Sequence, residues 1–227
     1  MPTSFTFDTN KCTGCQACRL ACTIENGLEL DCSWRSIVTF NERQDPAAPL
    51  FHLSLACNHC ADPACMGACP ALAYSKDSLT GVVLLDSGKC IGCKYCSWAC
   101  PYGAREIDEK QRVMKKCTLC VDRIYDQSLP EAERKPACVL ACPTNARLFG
   151  DVHDPDSTVS ILIREEGGYP LMPEWGTQPA NHYLPRRKTR LRIHEDELLR
   201  ADNPLKKEGQ LPAPSGDEQT LDDITSW

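Results

Sequence analysis

The sequence predicts an α+β fold of small strands and short helices. It is rich in loops, built in two halves related by an internal repeat, and followed by a C-terminal extension. Three observations predict it. Sixteen of the 17 cysteines fall into four tight groups. The segment "DTNKCTGCQACRLAC" from Asp8 matches "DSGKCIGCKYCSWAC" from Asp86 at Asp, Lys, Gly and all four cysteines. A proline (Pro70, Pro101, Pro143) follows the last cysteine of three groups, where it ends a short helical turn. The first group departs from this, with Thr23 after Cys22.

The elements follow in order. A strand, "SFTFD", feeds the first group, Cys12, Cys15, Cys18 and Cys22. The second group, Cys57, Cys60, Cys65 and Cys69, lies in "CNHCADPACMGACP". A strand in "GVVLLD" feeds the third, Cys90, Cys93, Cys96 and Cys100. "AREIDEKQRVMKKC" reads as a hairpin turning at Asp108 to Lys110. It leads to a split fourth group: Cys117 and Cys120, a 17-residue insert, then Cys138 and Cys142. "TVSILI" reads as a strand and "IHEDELLRAD" as a short helix. From about Asn203 the chain is polar and acidic, which predicts a poorly ordered tail. Cys32 stands outside the groups and is expected to be a buried apolar filler.

Composition excludes several classes. A formal charge of −6 disfavours nucleic-acid binding. The longest apolar runs, "GVVLLD" and "VSILI", are too short to cross a membrane. A secreted disulfide scaffold is also disfavoured. The chain is long, no apolar leader precedes the first group, and the cysteines are bunched rather than spread.

Bunched thiols point to metal. Zinc sites use a cysteine pair, a long gap and a second pair. The fourth group alone fits that; three groups with their third and fourth cysteines so close do not. A mixture with [2Fe–2S] clusters satisfies the ligand count but not the C-x₂-C-x₂-C runs. Cys90 to Pro101 spells C-x₂-C-x₂-C-x₃-C-P. In bacterial ferredoxins with two clusters, this run gives its fourth cysteine to the other cluster. Sixteen thiolates therefore suit four [4Fe–4S] clusters, each group supplying three ligands to one cluster and its fourth to a partner group's. Spacing leaves the pairing open. Groups could pair as sequence neighbours or in nested fashion, and loop-closure entropy rises too slowly to decide.

The order of groups, the gap in "CADPAC", the "CNHC" start, "KKCTLCVDR" and the split fourth group resemble the iron–sulfur electron-transfer subunits of the DMSO reductase superfamily. The resemblance covers roughly residues 5 to 190. It implies nested pairing, with ligand sets Cys12/Cys15/Cys18/Cys142, Cys22/Cys117/Cys120/Cys138, Cys57/Cys60/Cys65/Cys100 and Cys69/Cys90/Cys93/Cys96. Some members carry tryptophan in the third group and a three-iron cluster; Cys93 stands there in this chain, so four cubanes are implied. Two ferredoxin-like dicluster domains follow, residues 1–49 with 103–165, and an inserted 50–102. A docking extension at 166–202 and the tail at 203–227 complete the chain.

The resemblance also implies a role. The chain would pass electrons between a large molybdenum or tungsten bis-pterin catalytic subunit and a quinone-reactive, integral-membrane anchor. It would be peripheral, with the cytoplasmic face favoured over the periplasmic. No catalytic residue is identified: there is no G-x-G-x-x-G and no nucleophile with a base. "LMPEWGTQPANHYLPRR" is similar to iron–sulfur subunits of membrane-bound sulfite dehydrogenases, which favours sulfite oxidation. The alternatives are DMSO or polysulfide reduction, or a soluble molybdoenzyme without an anchor. A non-redox metal scaffold is disfavoured.

Several single residues carry expectations of their own. Lys11, Lys89 and Lys116 each precede a group's first cysteine. Each is either a cation raising a cluster's potential or a solvated strand end. His59 is expected to pack in its loop or bond backbone, since cysteines complete the ligand set. Tyr95 and Trp98 are expected to shield clusters from water.

Overall fold

Strand β1 (Thr3–Asp8) is buried on both faces: Ser4, Phe5, Thr6 and Phe7 are all within 3% of full burial. A strand covered on both faces sits inside a sheet, and β1 is the middle of one. In the computed structural model, which describes residues 3–29, 32–41 and 50–187, it pairs antiparallel with β8 (Arg147–Asp151) and parallel with β9 (His182–Leu184). The described residues all belong to one compact unit.

Three two-stranded pieces surround this sheet. β2 (Arg35–Phe40) pairs with β3 (Phe51–Ala56) in a register running from Arg35↔Ala56 to Phe40↔Phe51. β4 (Tyr74–Lys76) pairs with β5 (Val83–Leu85). β6 (Glu106–Asp108) pairs with β7 (Val113–Lys115), which is the hairpin expected from "AREIDEKQRVMKKC" with its turn one or two residues later.

The helices are short for a local reason. α2 (Ala64–Gly67), α3 (Tyr95–Trp98) and α5 (Ala137–Leu140) each stop within two residues of a Cys-Pro step. α1 (Ala17–Glu25) has Thr23 where the others have proline, and it runs for nine residues. α4 (Val121–Tyr125) lies in the insert of the fourth group.

Some expectations need correction. "TVSILI" is not a strand but the start of α6 (Thr158–Glu166). The flanking residues decide it. Ser157 caps the N-terminus, its Oγ accepting from Ser160 N–H at 3.2 Å, and Gly167 closes the helix at φ 68°. β2 and β3 were not anticipated, and their pairing straddles the expected boundary at residue 49. The first part of the expected docking extension contributes β9 to the central sheet, with Tyr183 and Leu184 buried. Cys32 is partly exposed rather than buried, in the connection between α1 and β2. The expected helix "IHEDELLRAD" and the acidic tail lie outside the described residues.

Candidate metal centres

The first and third cysteine loops are built the same way. In the first group Gly14 (φ 70°) and Gln16 (φ 63°) turn the chain left-handed, and in the third Gly92 (φ 69°) and Lys94 (φ 64°) do the same. These turns fold C-x₂-C-x₂-C back on itself. The aspartates before them match too. Asp8 Oδ1 accepts from Asn10 N–H and Asp86 Oδ1 from Gly88 N–H, both at 2.9 Å.

The third cysteine of each group (Cys18, Cys65, Cys96, Cys138) lies in the first turn of α1, α2, α3 or α5 and is buried. The fourth follows four residues later, about one helical turn of 5.4 Å further on. In α1 both cysteines lie in the helix; in the other groups the fourth lies two residues past its end.

Three cavities show where they go. Cys12, Cys15, Cys18 and Cys142 line one. Cys57, Cys60, Cys65 and Cys100 line another. Cys69, Cys90, Cys93 and Cys96 line the third. The remaining four, Cys22, Cys117, Cys120 and Cys138, are all buried, and burial together with the facing Cys117, Cys138 and Cys120 pushes the Cys22 thiol up.

The electrostatics fit a polynuclear cation. Burial raises Cys12, and Cys18, Cys142 and Cys15 add to it. Burial likewise takes Cys60 to about 11, with Cys57, Cys100 and Cys65 contributing. A metal group supplies the positive charge that favours the thiolate form of these buried thiols. Among the described residues, no three His, Cys, Asp or Glu side chains converge as a single metal ion requires. The sulfurs stand around cavities instead, which suits a cubane and not a zinc ion. When bound, such a cluster takes up and releases one electron at a time.

Buried cations accompany the sulfurs. Arg35, Arg105, Lys116 and Arg147 are each at most 7% exposed, and none joins an ion pair with a carboxylate among the described residues. Arg105 Nη2 donates to Cys65 Sγ. Lys116 Nζ donates to the carbonyls of Val83 and Cys117. Burial would raise Cys57, but Lys116 and Arg105 outweigh it and hold this thiol below its ordinary value. Burial would raise Cys138 in the same way, and Arg35 and Arg147 reverse that. Four nitrogens of these arginines, Arg35 Nε and Nη2, Arg105 Nε and Arg147 Nε, are buried without an acceptor in the protein. Buried anions beside them resolve that cost.

The three lysines divide. Lys11 and Lys89 are exposed and pair with Asp8 and Asp86, so they are solvated strand ends. Lys116 is the cation facing sulfur. His59 accepts from Val83 N–H through Nδ1, as expected of a packed, non-ligating histidine; burial keeps it neutral. Tyr95 and Trp98 are 50% and 77% exposed, their rings 5.5 Å apart. α3 is too short to bury its outer face.

Arg35, Arg105 and Arg147 were not singled out from sequence. A period-2 signal existed for two of them. Arg35 shares a strand face with Ile37, and Arg147 with Phe149, and both apolar residues pack on the core.

Comparison with known proteins agrees with this chemistry. Residues 49–152 match the 4Fe-4S dicluster domain. A sulfite dehydrogenase subunit of Allochromatium vinosum is 55% identical over 97% of both chains. One component of the anaerobic dimethyl sulfoxide reductase of Escherichia coli is 38% identical over 66% of this chain and 74% of its own. This protein belongs to the iron–sulfur subunits of the DMSO reductase family. A tetrathionate reductase subunit of Salmonella typhimurium is 35% identical over 78% of this chain and 70% of its own. As a member of that family, the protein is an electron-transfer subunit, its fold is ferredoxin-like, and its cofactors are [4Fe–4S] clusters. Its relatives are subunits of larger enzymes. No helix among the described residues is long and apolar enough to cross a membrane.

Proposed function

We propose that this subunit carries four [4Fe–4S] clusters on the nested ligand sets given above and conducts electrons from a sulfite-oxidising molybdopterin subunit to a quinone-binding membrane anchor. The observation that carries the reading is that cysteines four residues apart line different cavities: Cys65 lies with Cys57, Cys60 and Cys100, and Cys69 with Cys90, Cys93 and Cys96. The sets make two dicluster units. Cys12 to Cys22 with Cys117 to Cys142 belong to residues 1–49 and 103–165, and the other eight cysteines to 50–102. The matching turns at Gly14 and Gly92, and at Asp8 and Asp86, support an internal repeat.

Sulfite is favoured by the 55% identity to a protein named for sulfite oxidation, which extends over nearly the whole of both chains. Oxidation of sulfite by water to sulfate releases two electrons and two protons. Centres that each take one electron pass the pair on in turn. Attachment to the membrane is through the anchor, with the cytoplasmic face favoured.

The test uses the complex purified anaerobically from membranes. Sulfite should reduce the clusters, read by EPR, and a quinone should reoxidise them. Clusters indifferent to sulfite but reoxidised by DMSO or polysulfide through the catalytic subunit would assign the opposite direction.

A further inference from the structure

Ser54, Arg35 and Arg147 come from β3, β2 and β8 and meet where the first two cysteine sets adjoin. They are 1%, 2% and 3% exposed. Arg35 Nη1 donates to Ser54 Oγ at 3.1 Å, and Arg147 Nη1 donates to the same atom at 2.9 Å. Both guanidinium groups lie against the Phe5 ring, at 5.2 and 4.5 Å from its centroid. Two like charges on one buried hydroxyl repel each other unless anions face them. No carboxylate does so among the described residues. The facing groups are sulfurs: Cys138, Cys117, Cys18 and Cys22 around Arg35, and Cys138 beside Arg147.

A serine oxygen has two lone pairs and one hydrogen. The two arginines take both lone pairs. That leaves the hydrogen for the one remaining contact, Cys18 Sγ at 4.0 Å.

We propose that Arg35 and Arg147, joined through Ser54, form one electropositive wedge that raises the reduction potentials of the two centres beside it, Cys12/Cys15/Cys18/Cys142 and Cys22/Cys117/Cys120/Cys138. A reduced cluster carries one more negative charge than the oxidised one. A fixed buried cation and a hydrogen bond to a ligand sulfur both favour the reduced form. Ser54 is a positioning residue: it fixes both guanidinium groups and directs its own hydrogen at Cys18. It does so from β3, within the segment that holds the other two centres. The proposal rests on the four-centre reading.

The experiment is potentiometric EPR on the anaerobically purified complex, with signals assigned through Cys18→Ser and Cys22→Ser. Arg35→Gln should lower the midpoints of these two centres by at least tenfold in the reduction equilibrium, 59 mV for one electron. The other two should move less. Ser54→Ala should lower the Cys18 centre more than any other, and Ser54→Thr, which keeps the hydroxyl, should restore it. A fully loaded Arg35→Gln protein with all four midpoints unchanged, or all four shifted equally, overturns the proposal. If Arg35→Gln loses iron, Ser54→Ala decides: full loading with an unmoved Cys18 centre overturns it. A wild-type protein with fewer than four centres would instead remove the four-centre reading before any variant is made.

Discussion

His59 Nδ1 accepts a 3.1 Å hydrogen bond from the backbone N–H of Val83. This bond joins the loop of the second cysteine group to β5, the strand that feeds the third. Nδ1 is the acceptor, so the ring's proton is on Nε2. Val83 is fully buried, so its N–H would lose its acceptor within the protein. His59→Ala should therefore cost about 1–3 kcal/mol. In a chain of this length that is a fall of roughly 2–12 °C in the thermal midpoint of the iron-loaded protein. An unchanged midpoint would show that the bond holds nothing.

Iron content follows from the four ligand sets. Protein purified anaerobically should hold about 16 iron atoms per chain. Chelation should unfold it, because each set gathers cysteines that have no other reason to stay together. Circular dichroism during chelation reads this out. Stoichiometric zinc with little iron would refute the assignment.

Cys69 tests the cross-ligation. It lines the same cavity as Cys90, Cys93 and Cys96, while Cys65, one turn earlier in sequence, lines that of Cys57, Cys60 and Cys100. Cys69→Ser should weaken or convert the centre that Cys90→Ser also perturbs. The centre that responds to Cys57→Ser should keep its EPR signal. The idea fails if Cys69→Ser and Cys57→Ser alter one signal and Cys90→Ser another.

Gly92 and Gly14 hold matching positions in two cysteine runs, yet their surroundings differ. A Cβ on Gly92 would come 2.3 Å from the carbonyl oxygen of Arg112, in the turn between β6 and β7. On Gly14 the nearest atoms, at 2.6 Å, belong to the His52 ring, a side chain that can turn away. Both positions carry left-handed strain of roughly 1–2 kcal/mol for alanine. Gly92→Ala should therefore lose about one cluster's worth of iron, roughly four atoms. Gly14→Ala should retain its iron at reduced stability. Iron assays on the two variants compare them directly, and equal loading would contradict the argument.

The cysteine groups, their loops, the β6–β7 hairpin and the role of His59 were legible in sequence because each depends on neighbours within a few residues. α6 was misread because the apolar run Val159 to Ile163 suits either period; the deciding signals, Ser157 and Gly167, lie outside it. The β2–β3 pair went unseen because neither strand has a tight-turn signature linking it to the other. The buried arginines were illegible for a different reason. An arginine in a short strand ordinarily faces water, and these face inward only because sulfurs distant in sequence collect opposite them. Cys138 lies over a hundred residues from Arg35, and only the fold brings them into one field.

The cavity lined by Cys12, Cys15, Cys18 and Cys142 is closed by residues from the two ends of the cysteine-bearing region. A ribosome delivers these ends at very different times. The sulfurs around the two cavities of the middle segment are all present once Cys100 has emerged. The first three cysteines of the chain must wait for Cys142, some forty residues later. On the proposed ligand sets, clusters inserted during synthesis would fill the middle segment first, and Cys12, Cys15 and Cys18 would wait longest as open thiols.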